Sequence, residues 1–315
     1  MSLSADALQQ HCHTIVNSPH AQNRMVILCE GNIQAVQGRA SPSSYRQLQK
    51  LPDANFYKAC VPVWWQQKRP EFFVCGDRLD VVNTYFELQR MDCTGSRFDK
   101  TKLFAIIDLD LPLCKFAEGY PVQDSETLFH TLYQQGKINR QALVEHTIFV
   151  TGLIYKEAYF LIPDLQAVFD AYATPVHYRN GLVNLQAIYR EMLDNLSEDK
   201  NIQEPTHFPR ACERIKHCVD SVLGSISDLQ DSWSRTFDSA TEPTPQELIL
   251  ALLSIHQVKS YWQALSPPHN SGIPPERFEE QLTLAIANFY AKQARDSHHH
   301  IPCFFDSLLK RAEFT

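Results

Sequence analysis

Two aspartates separated by one residue, Asp108 and Asp110, follow directly on the apolar run Leu103–Ile107. A continuous apolar run rich in β-branched and aromatic residues is typical of a strand buried on both faces. If strand geometry persists through the acids, their side chains point the same way, because side chains alternate with period two. Two adjacent carboxylates repel each other unless a cation lies between them, so the spacing indicates a metal site. The alternative interpretation is that the strand ends first and both acids are solvated loop residues.

Two further apolar runs also lead to acidic residues. Residues 25–29 are followed by Glu30, and residues 71–75 are followed by a glycine and Asp77. A segment with helical spacing comes after each run, so the order strand–helix–strand–helix–strand predicts a parallel sheet with helices on its faces. Ligands of such sheets bind outside the carboxyl ends of the strands. We therefore expect Glu30, Asp77 and the aspartate pair to gather at one edge of the sheet.

A fourth predicted strand, residues 146–151, leads to Lys156 and Glu157. If this strand is parallel to the others, both charged residues leave the sheet at the same edge as the acids. Glu157 then joins the carboxylates, and Lys156 is the nearest positive side chain by sequence. The alternative interpretation is an ordinary helix start, where the helix dipole favours a carboxylate.

Three cations precede the third strand, namely Arg97, Lys100 and Lys102. Positive side chains in this position could neutralise the phosphate of a bound substrate. Lysine and arginine near the end of a strand are more commonly solvated, and that alternative stays open.

The composition limits the classes of function. With 315 residues and 44% hydrophobic content, the chain can bury a large core. A net charge of −7 and a pI of about 6.0 give no general attraction to nucleic acid, so such binding requires a local basic patch. The nine cysteines form no Cys-x-x-Cys pair, no signal peptide is recognisable, and no apolar run approaches ~18 residues. We expect a reduced, cytoplasmic protein with no membrane partner.

The pattern along the chain predicts three regions. Residues 1–24 form an N-terminal extension, residues 25–175 an α/β domain, and residues 176–315 a helical domain. The predicted fold class is α/β, with a mainly parallel, Rossmann-like sheet of about four strands flanked by helices and an all-helical C-terminal part.

The order of these motifs resembles that of the Toprim fold, which topoisomerases, bacterial primases and OLD-type nucleases share. The resemblance covers about residues 25 to 172. The sequence is similar in particular to a branch of uncharacterised Toprim proteins related to OLD nucleases. In that branch, Glu-Gly is followed by an Asp-x-x-Phe-Tyr helix and later by Glu-x-Tyr-Phe/Leu. The matching positions are Glu30 with Gly31, residues 53–57 and residues 157–160. About twenty residues separate the first two motifs, where the family has only a few.

The resemblance implies a Mg²⁺- or Mn²⁺-dependent nuclease that cleaves phosphodiester bonds of DNA or RNA, with defence against mobile elements as one setting. Mg²⁺ takes one or two carboxylates together with waters and substrate phosphate. Asp108 and Asp110 would supply those carboxylates. A second ion would bind Glu157 or Asp77.

Two residues are expected to act in catalysis itself. Glu30 would bind metal or serve as general acid or base, and Lys156 would offset the charge that develops on the phosphate. The three cations before the third strand would bind the substrate.

Two other interpretations stay open. The chain has no Gly-x-x-x-x-Gly-Lys-Ser/Thr loop, so a Toprim domain without catalysis could serve as the binding or regulatory partner of an ATPase. A phosphatase could use Asp108 as its nucleophile. Such an enzyme would want a threonine in an Asp-x-Asp-x-Thr continuation, and Leu111 and Pro112 do not supply it.

Overall fold

A computed structural model describes most of the chain. The described residues are 3–31, 52–65, 69–93, 95–179, 181–219, 224–240 and 246–314. They form two compact units, each discontinuous in sequence. The first unit comprises residues 1–108, 114–150 and 287–315, and the second comprises residues 109–113 and 151–286.

Within the described ranges, nine strands form three sheets. The strands are β1 (Val26–Cys29), β2 (Glu71–Val74), β3 (Leu103–Ile107), β4 (Tyr133–Gln134), β5 (Lys137–Ile138), β6 (Ile148–Val150), β7 (His177–Tyr178), β8 (Gly181–Leu182) and β9 (Leu265–Ser266). The main sheet has four parallel strands in the order β2-β1-β3-β6. The prediction that residues 25–29 and the run before the aspartate pair share one parallel sheet is confirmed.

The composition of these four strands explains their position. Every residue of the four is buried, which matches the continuous apolar runs and the expectation for a parallel sheet covered on both faces. Ile27 at the centre of β1 pairs in register with Phe72 on one side and Phe104 on the other. The core of the first unit is therefore the sheet itself.

Fourteen helices are described. They are α1 (Ala5–Val16), α2 (Pro52–Cys60), α3 (Arg78–Arg90), α4 (Ser125–Leu132), α5 (Arg140–Glu145), α6 (Gln166–Asp170), α7 (Leu185–Asp194), α8 (Lys200–Gln203), α9 (Phe208–Ile215), α10 (Ile226–Ser239), α11 (Gln246–Leu253), α12 (Lys259–Gln263), α13 (Pro275–Lys292) and α14 (His300–Phe314). Short 3₁₀ turns occur at Val63–Trp65, Lys100–Lys102, Lys156–Phe160, Pro163–Leu165 and Leu196–Glu198.

Helices flank the sheet of the first unit, as predicted. Helix α3 packs on β1 and β3, and α1 packs on α3. From the far end of the chain, α14 places Phe304 on Phe149 with ring centroids 4.5 Å apart, and Phe305 on Phe72 at 6.4 Å. Helices from the N-terminal and the C-terminal parts of the sequence therefore both pack in the unit that contains this sheet.

The second unit is mostly helical. Helices α6 to α12 surround a core in which Tyr189 and Trp233 are fully buried. A three-stranded antiparallel sheet of β8, β7 and β9 also belongs to this unit. The C-terminal part is therefore mostly helical and not all-helical, which was the prediction. Among the described helices, none combines the length and apolar character needed to span a bilayer.

The boundaries of the two compact units differ from those of the predicted regions 1–24, 25–175 and 176–315. The N-terminal segment and residues 287–315 both belong to the first unit, while residues 151–175 belong to the second. The reason is physical contact: α1 and α14 each pack within the unit that contains the four-stranded sheet.

Candidate functional site

The order of the four strands creates one position suited to binding. From β1 the chain passes to β2, which is the neighbour of β1 on one side, and then to β3, which is its neighbour on the other side. This reversal makes the carboxyl ends of β1 and β3 the topological switch point, where open α/β sheets bind their ligands. The residues that follow these two strands are Glu30 and Asp108.

A hydrogen bond joins these two residues. The Glu30 carboxylate accepts, through Oε1, the backbone N–H of Asp108 at 2.6 Å. The short distance is typical of a hydrogen bond to an ionised acceptor. Both residues are half-buried. One oxygen of Glu30 thus holds the end of β3 against the end of β1, at the crevice.

A pair of glycines fixes the neighbouring turn. Gly31 and Gly76 exchange both backbone hydrogen bonds, at 2.8 Å and 3.0 Å, beyond the paired residues of β1 and β2. Gly76 has φ +95°, and a Cβ atom there would lie 2.4 Å from Oδ2 of Asp80. Side-chain-bearing residues rarely adopt this backbone conformation, and a Cβ atom would come too close to Asp80. Both reasons favour glycine at position 76.

Asp77 lies at the predicted edge but has a structural task. It is the N-cap of α3 and forms a capping box, in which its carboxylate accepts the N–H of Asp80 at 3.0 Å and the Asp80 carboxylate accepts the N–H of Asp77 at 3.3 Å. Asp80 is 3% exposed and also accepts the N–H of Leu3 at 2.8 Å. The Asp77 carboxylate therefore stabilises the start of α3.

Asp110 does not continue the strand. Strand β3 ends at Ile107, and Asp110 has φ +24°, so the alternation that would align the two aspartates breaks off before the second one. Asp110 belongs to the second unit, where its N–H donates to the carbonyl of Ile154 at 3.2 Å. Aspartate tolerates the left-handed region better than most residues.

Two arginines on one face of α9 hold the same segment by its carbonyls. Arg214, which is 4% exposed, donates to the carbonyls of Leu109 at 3.3 Å and Asp110 at 2.9 Å. Arg210 donates to the carbonyl of Leu111 at 2.5 Å. Neither arginine is among the site residues predicted from the sequence. Their spacing of four residues, which puts them on one helical face, was the available signal.

Lys156 and Glu157 pair with each other in the second unit. Their charged groups are 3.6 Å apart, and their side chains are 19% and 17% exposed. They open the 3₁₀ turn after β6. The positive charge assigned to the substrate phosphate thus has an acidic neighbour of its own.

The three cations before β3 lie at the opposite edge of the sheet. Lys100 donates to the carbonyl of Gln89 at 2.9 Å and to that of Met91, where it stabilises the end of α3. Lys102 pairs with Asp99 at 3.0 Å, and Arg97 is exposed. The five residues of β3 separate this edge from Asp108 by about 17 Å. The fold does not bring these cations to the switch point.

The donor atoms at the switch point suit one kind of metal site. Within the described ranges, no group of three or more His, Cys, Asp or Glu side chains is arranged to hold a metal ion. Mg²⁺ does not require such a cage, since it commonly binds one or two carboxylates and completes its shell with waters and substrate phosphate. Glu30 and Asp108 are two carboxylate-bearing residues at this position, the number that such an ion commonly binds.

Comparison with known proteins adds no further assignment. No family model, no curated protein and no solved structure matches the chain.

Proposed function

We propose that the chain is a metal-dependent phosphodiester-cleaving nuclease acting on DNA or RNA, with Glu30 and Asp108 at the centre of its site. The observation that carries the proposal is the hydrogen bond from the Asp108 N–H to the Glu30 carboxylate. It puts two acidic residues side by side at the switch point of a parallel sheet, where ligands bind. The order of motifs that resembles Toprim proteins includes these two positions.

The roles of the two residues follow from their surroundings. Bound Mg²⁺ or Mn²⁺ would stabilise charge on the phosphoryl oxygens and activate a water. Asp108 leaves the end of β3 half-buried, with its backbone N–H fixed, so its carboxylate can meet an ion at the crevice. Glu30, which accepts that N–H, is the proposed ligand or proton acceptor beside it.

Asp110, Glu157 and Lys156 belong to this proposal only as further candidates. All three lie in the second unit. Asp77 is the weaker candidate for a second ion, because its carboxylate caps α3. The proposal therefore depends first on Glu30 and Asp108.

The test is cleavage by the purified protein. Wild-type protein with Mg²⁺ or Mn²⁺ is expected to nick or degrade plasmid DNA, single-stranded DNA or RNA, while Asp108→Asn is expected to abolish cleavage. The matched control is Glu213→Gln, which removes one negative charge from an exposed side chain paired with Lys216. Cleavage by Asp108→Asn at the wild-type rate, or loss of cleavage in the control, would contradict the proposal.

A second candidate function is a Toprim-like domain without catalysis that binds another protein, such as an ATPase. The observation that favours it is the structural use of two predicted acids, since Glu30 holds the end of β3 and Asp77 caps α3. Metal binding at Asp108 without cleavage of any nucleic acid would favour this candidate.

A further inference from the structure

Three cations of the first unit surround a single carboxylate. Asp306 on α14 lies 2.7 Å from Nη2 of Arg140, 3.3 Å from Nη1 of Arg295 and 3.0 Å from Nζ of Lys310. These four residues come from α5, α14 and the segment before α14. We call Arg140, Arg295 and Lys310 the basic cluster.

The acid lies beneath the cations. The Asp306 side chain is 11% exposed, whereas those of Arg140, Arg295 and Lys310 are 46%, 47% and 47% exposed. Three positive charges thus meet one negative charge, and it is the positive groups that reach the solvent. The excess charge of the cluster faces outward.

Neighbouring charges with described contacts reduce this excess from two to one. Two such acids lie on the adjoining segments, namely Asp296, which pairs with His299 at 3.3 Å, and Glu145, whose carboxylate accepts a hydrogen bond from Gln141 at 2.8 Å. A fourth cation, Arg311, lies beside Lys310 on α14 and donates to the carbonyl of His146 at 2.7 Å. The added cation offsets one of the two added acids.

The pKa of Asp306 is consistent with a positive local potential. Partial burial raises that pKa, but hydrogen bonds from Lys310 and Arg140 and their charges outweigh the burial and hold it below the ordinary value. The carboxylate therefore stays ionised in the neutral range and still balances only one of the three cations.

We propose that the basic cluster binds phosphate groups of a nucleic-acid backbone. Two of its three members are arginines, whose forked guanidinium groups match phosphate oxygens. The chain carries a net charge of −7, so contact with a polyanion has to occur at a local excess of positive charge. Each of the three cations is nearly half exposed, so it can meet a phosphate without leaving Asp306. The choice of nucleic acid over other polyanions rests on the proposed nuclease function.

The experiment measures binding without cleavage. Anisotropy of a labelled DNA duplex is recorded in EDTA, with salt varied from about 50 to 200 mM. Wild-type affinity should fall with salt. Each of Arg140→Gln, Arg295→Gln and Lys310→Gln should reduce the slope of log K against log salt by about 0.9, and the triple variant by about 2.7. The single variants decide the question if the triple variant does not fold.

A matched control has the same change of net charge. Arg179→Gln, Arg190→Gln and Lys216→Gln remove three cations that each pair with an acid of their own, namely Glu191, Asp238 and Glu213. The control should keep the wild-type slope. An equal loss in both triple variants, no binding by the wild type at the lowest salt, or polyglutamate competing as well as DNA of equal charge would overturn the proposal.

The outcome separates this inference from the proposed function. Binding through the basic cluster without cleavage in the presence of metal would reject the nuclease and keep the cluster. Cleavage with an unchanged salt slope in the triple variant would reject the cluster and keep the nuclease.

Discussion

His256 and Asp199 lie in contact inside the second unit, with Nδ1 of the imidazole 2.9 Å from Oδ2 of the carboxylate. Their side chains are 4% and 1% exposed. Asp199 also accepts the backbone N–H groups of Asn201 and Gln257, both at 2.9 Å. One carboxylate thereby caps α8 and ties it to the segment after α11. Breaking such a buried contact leaves a charge without its partner, which is costly.

Acid should weaken the fold through Asp199. Burial raises the pKa of this carboxyl, but His256 and the backbone N–H groups outweigh burial and hold the pKa below its ordinary value of 3.8. A lowered folded-state pKa means that the stabilisation is complete above the unfolded pKa and is lost as pH falls through the folded one. We expect Asp199→Asn to lower the free energy of unfolding at pH 7 by about 1–3 kcal/mol, because it removes the charged acceptor of two backbone N–H groups. The variant should also lose less stability than wild type below about pH 4.

Urea unfolding followed by circular dichroism between neutral and acidic pH measures both effects. Asp238→Asn is the control, since Asp238 is 60% exposed and pairs with Arg190 at the surface. That substitution should change stability by less than about 1 kcal/mol. Parallel pH curves for Asp199→Asn and wild type would show that Asp199 does not set the acid response.

Metal should separate Asp108→Ala from wild type in thermal melts. Without metal the variant should melt no lower than wild type, because it removes one of two neighbouring negative charges. With Mn²⁺ at a hundredfold excess over Kd, only the wild type should gain about 2.7 kcal/mol. Differential scanning calorimetry with and without Mn²⁺ checks this order. Equal metal-induced shifts in both proteins would remove the metal site from the Glu30–Asp108 pair.

Glu30 should also matter for stability without metal. Glu30→Ala leaves the N–H of Asp108 without its acceptor at a half-buried position, and the free energy of unfolding should fall by about 1–3 kcal/mol. Glu30→Gln keeps a carbonyl acceptor and should lose less. Urea unfolding in EDTA measures both. If alanine and glutamine cost the same, the hydrogen bond does not stabilise the end of β3.

Gly76→Ala should be more destabilising than alanine at another positive-φ glycine. Gly76 has φ +95°, and its new Cβ would meet Asp80, whereas Gly119 has φ +92° and nothing within 4 Å of the same atom. Both substitutions carry the backbone cost of about 1 kcal/mol. Only Gly76→Ala also disturbs the capping box, which should add about 1 kcal/mol. Equal losses in the two variants would assign the whole effect to φ.

The sequence identified the elements that have strong local patterns. The four strands of the main sheet are continuous apolar runs, and Glu30 and Asp108 directly follow two of them. The two-residue strands β4, β5 and β7 to β9 are too short for a period to show. Asp110 was expected to align with Asp108 only if the strand continued, and β3 ends at Ile107.

Long-range contacts are the second kind of feature that was not predicted from the sequence. Arg214 meets residues more than one hundred positions away in the sequence, and Phe304 stacks on Phe149. Neither contact leaves a local signature. The opposite placement of Lys100 and Lys102 was available from the sequence, since residues before a parallel strand lie at the other edge from residues after it.

The dependence of the sheet on α14 has a consequence for biosynthesis. All four strands lie between residues 26 and 150, yet Phe72 and Phe149 are covered by helix α14, which begins at His300. The ribosome therefore synthesises all four strands long before it synthesises helix α14. The nascent chain exposes an aromatic surface meanwhile, and such surfaces are what holding chaperones bind. The packing of α14 on Phe72 and Phe149 can form only after that helix has been translated.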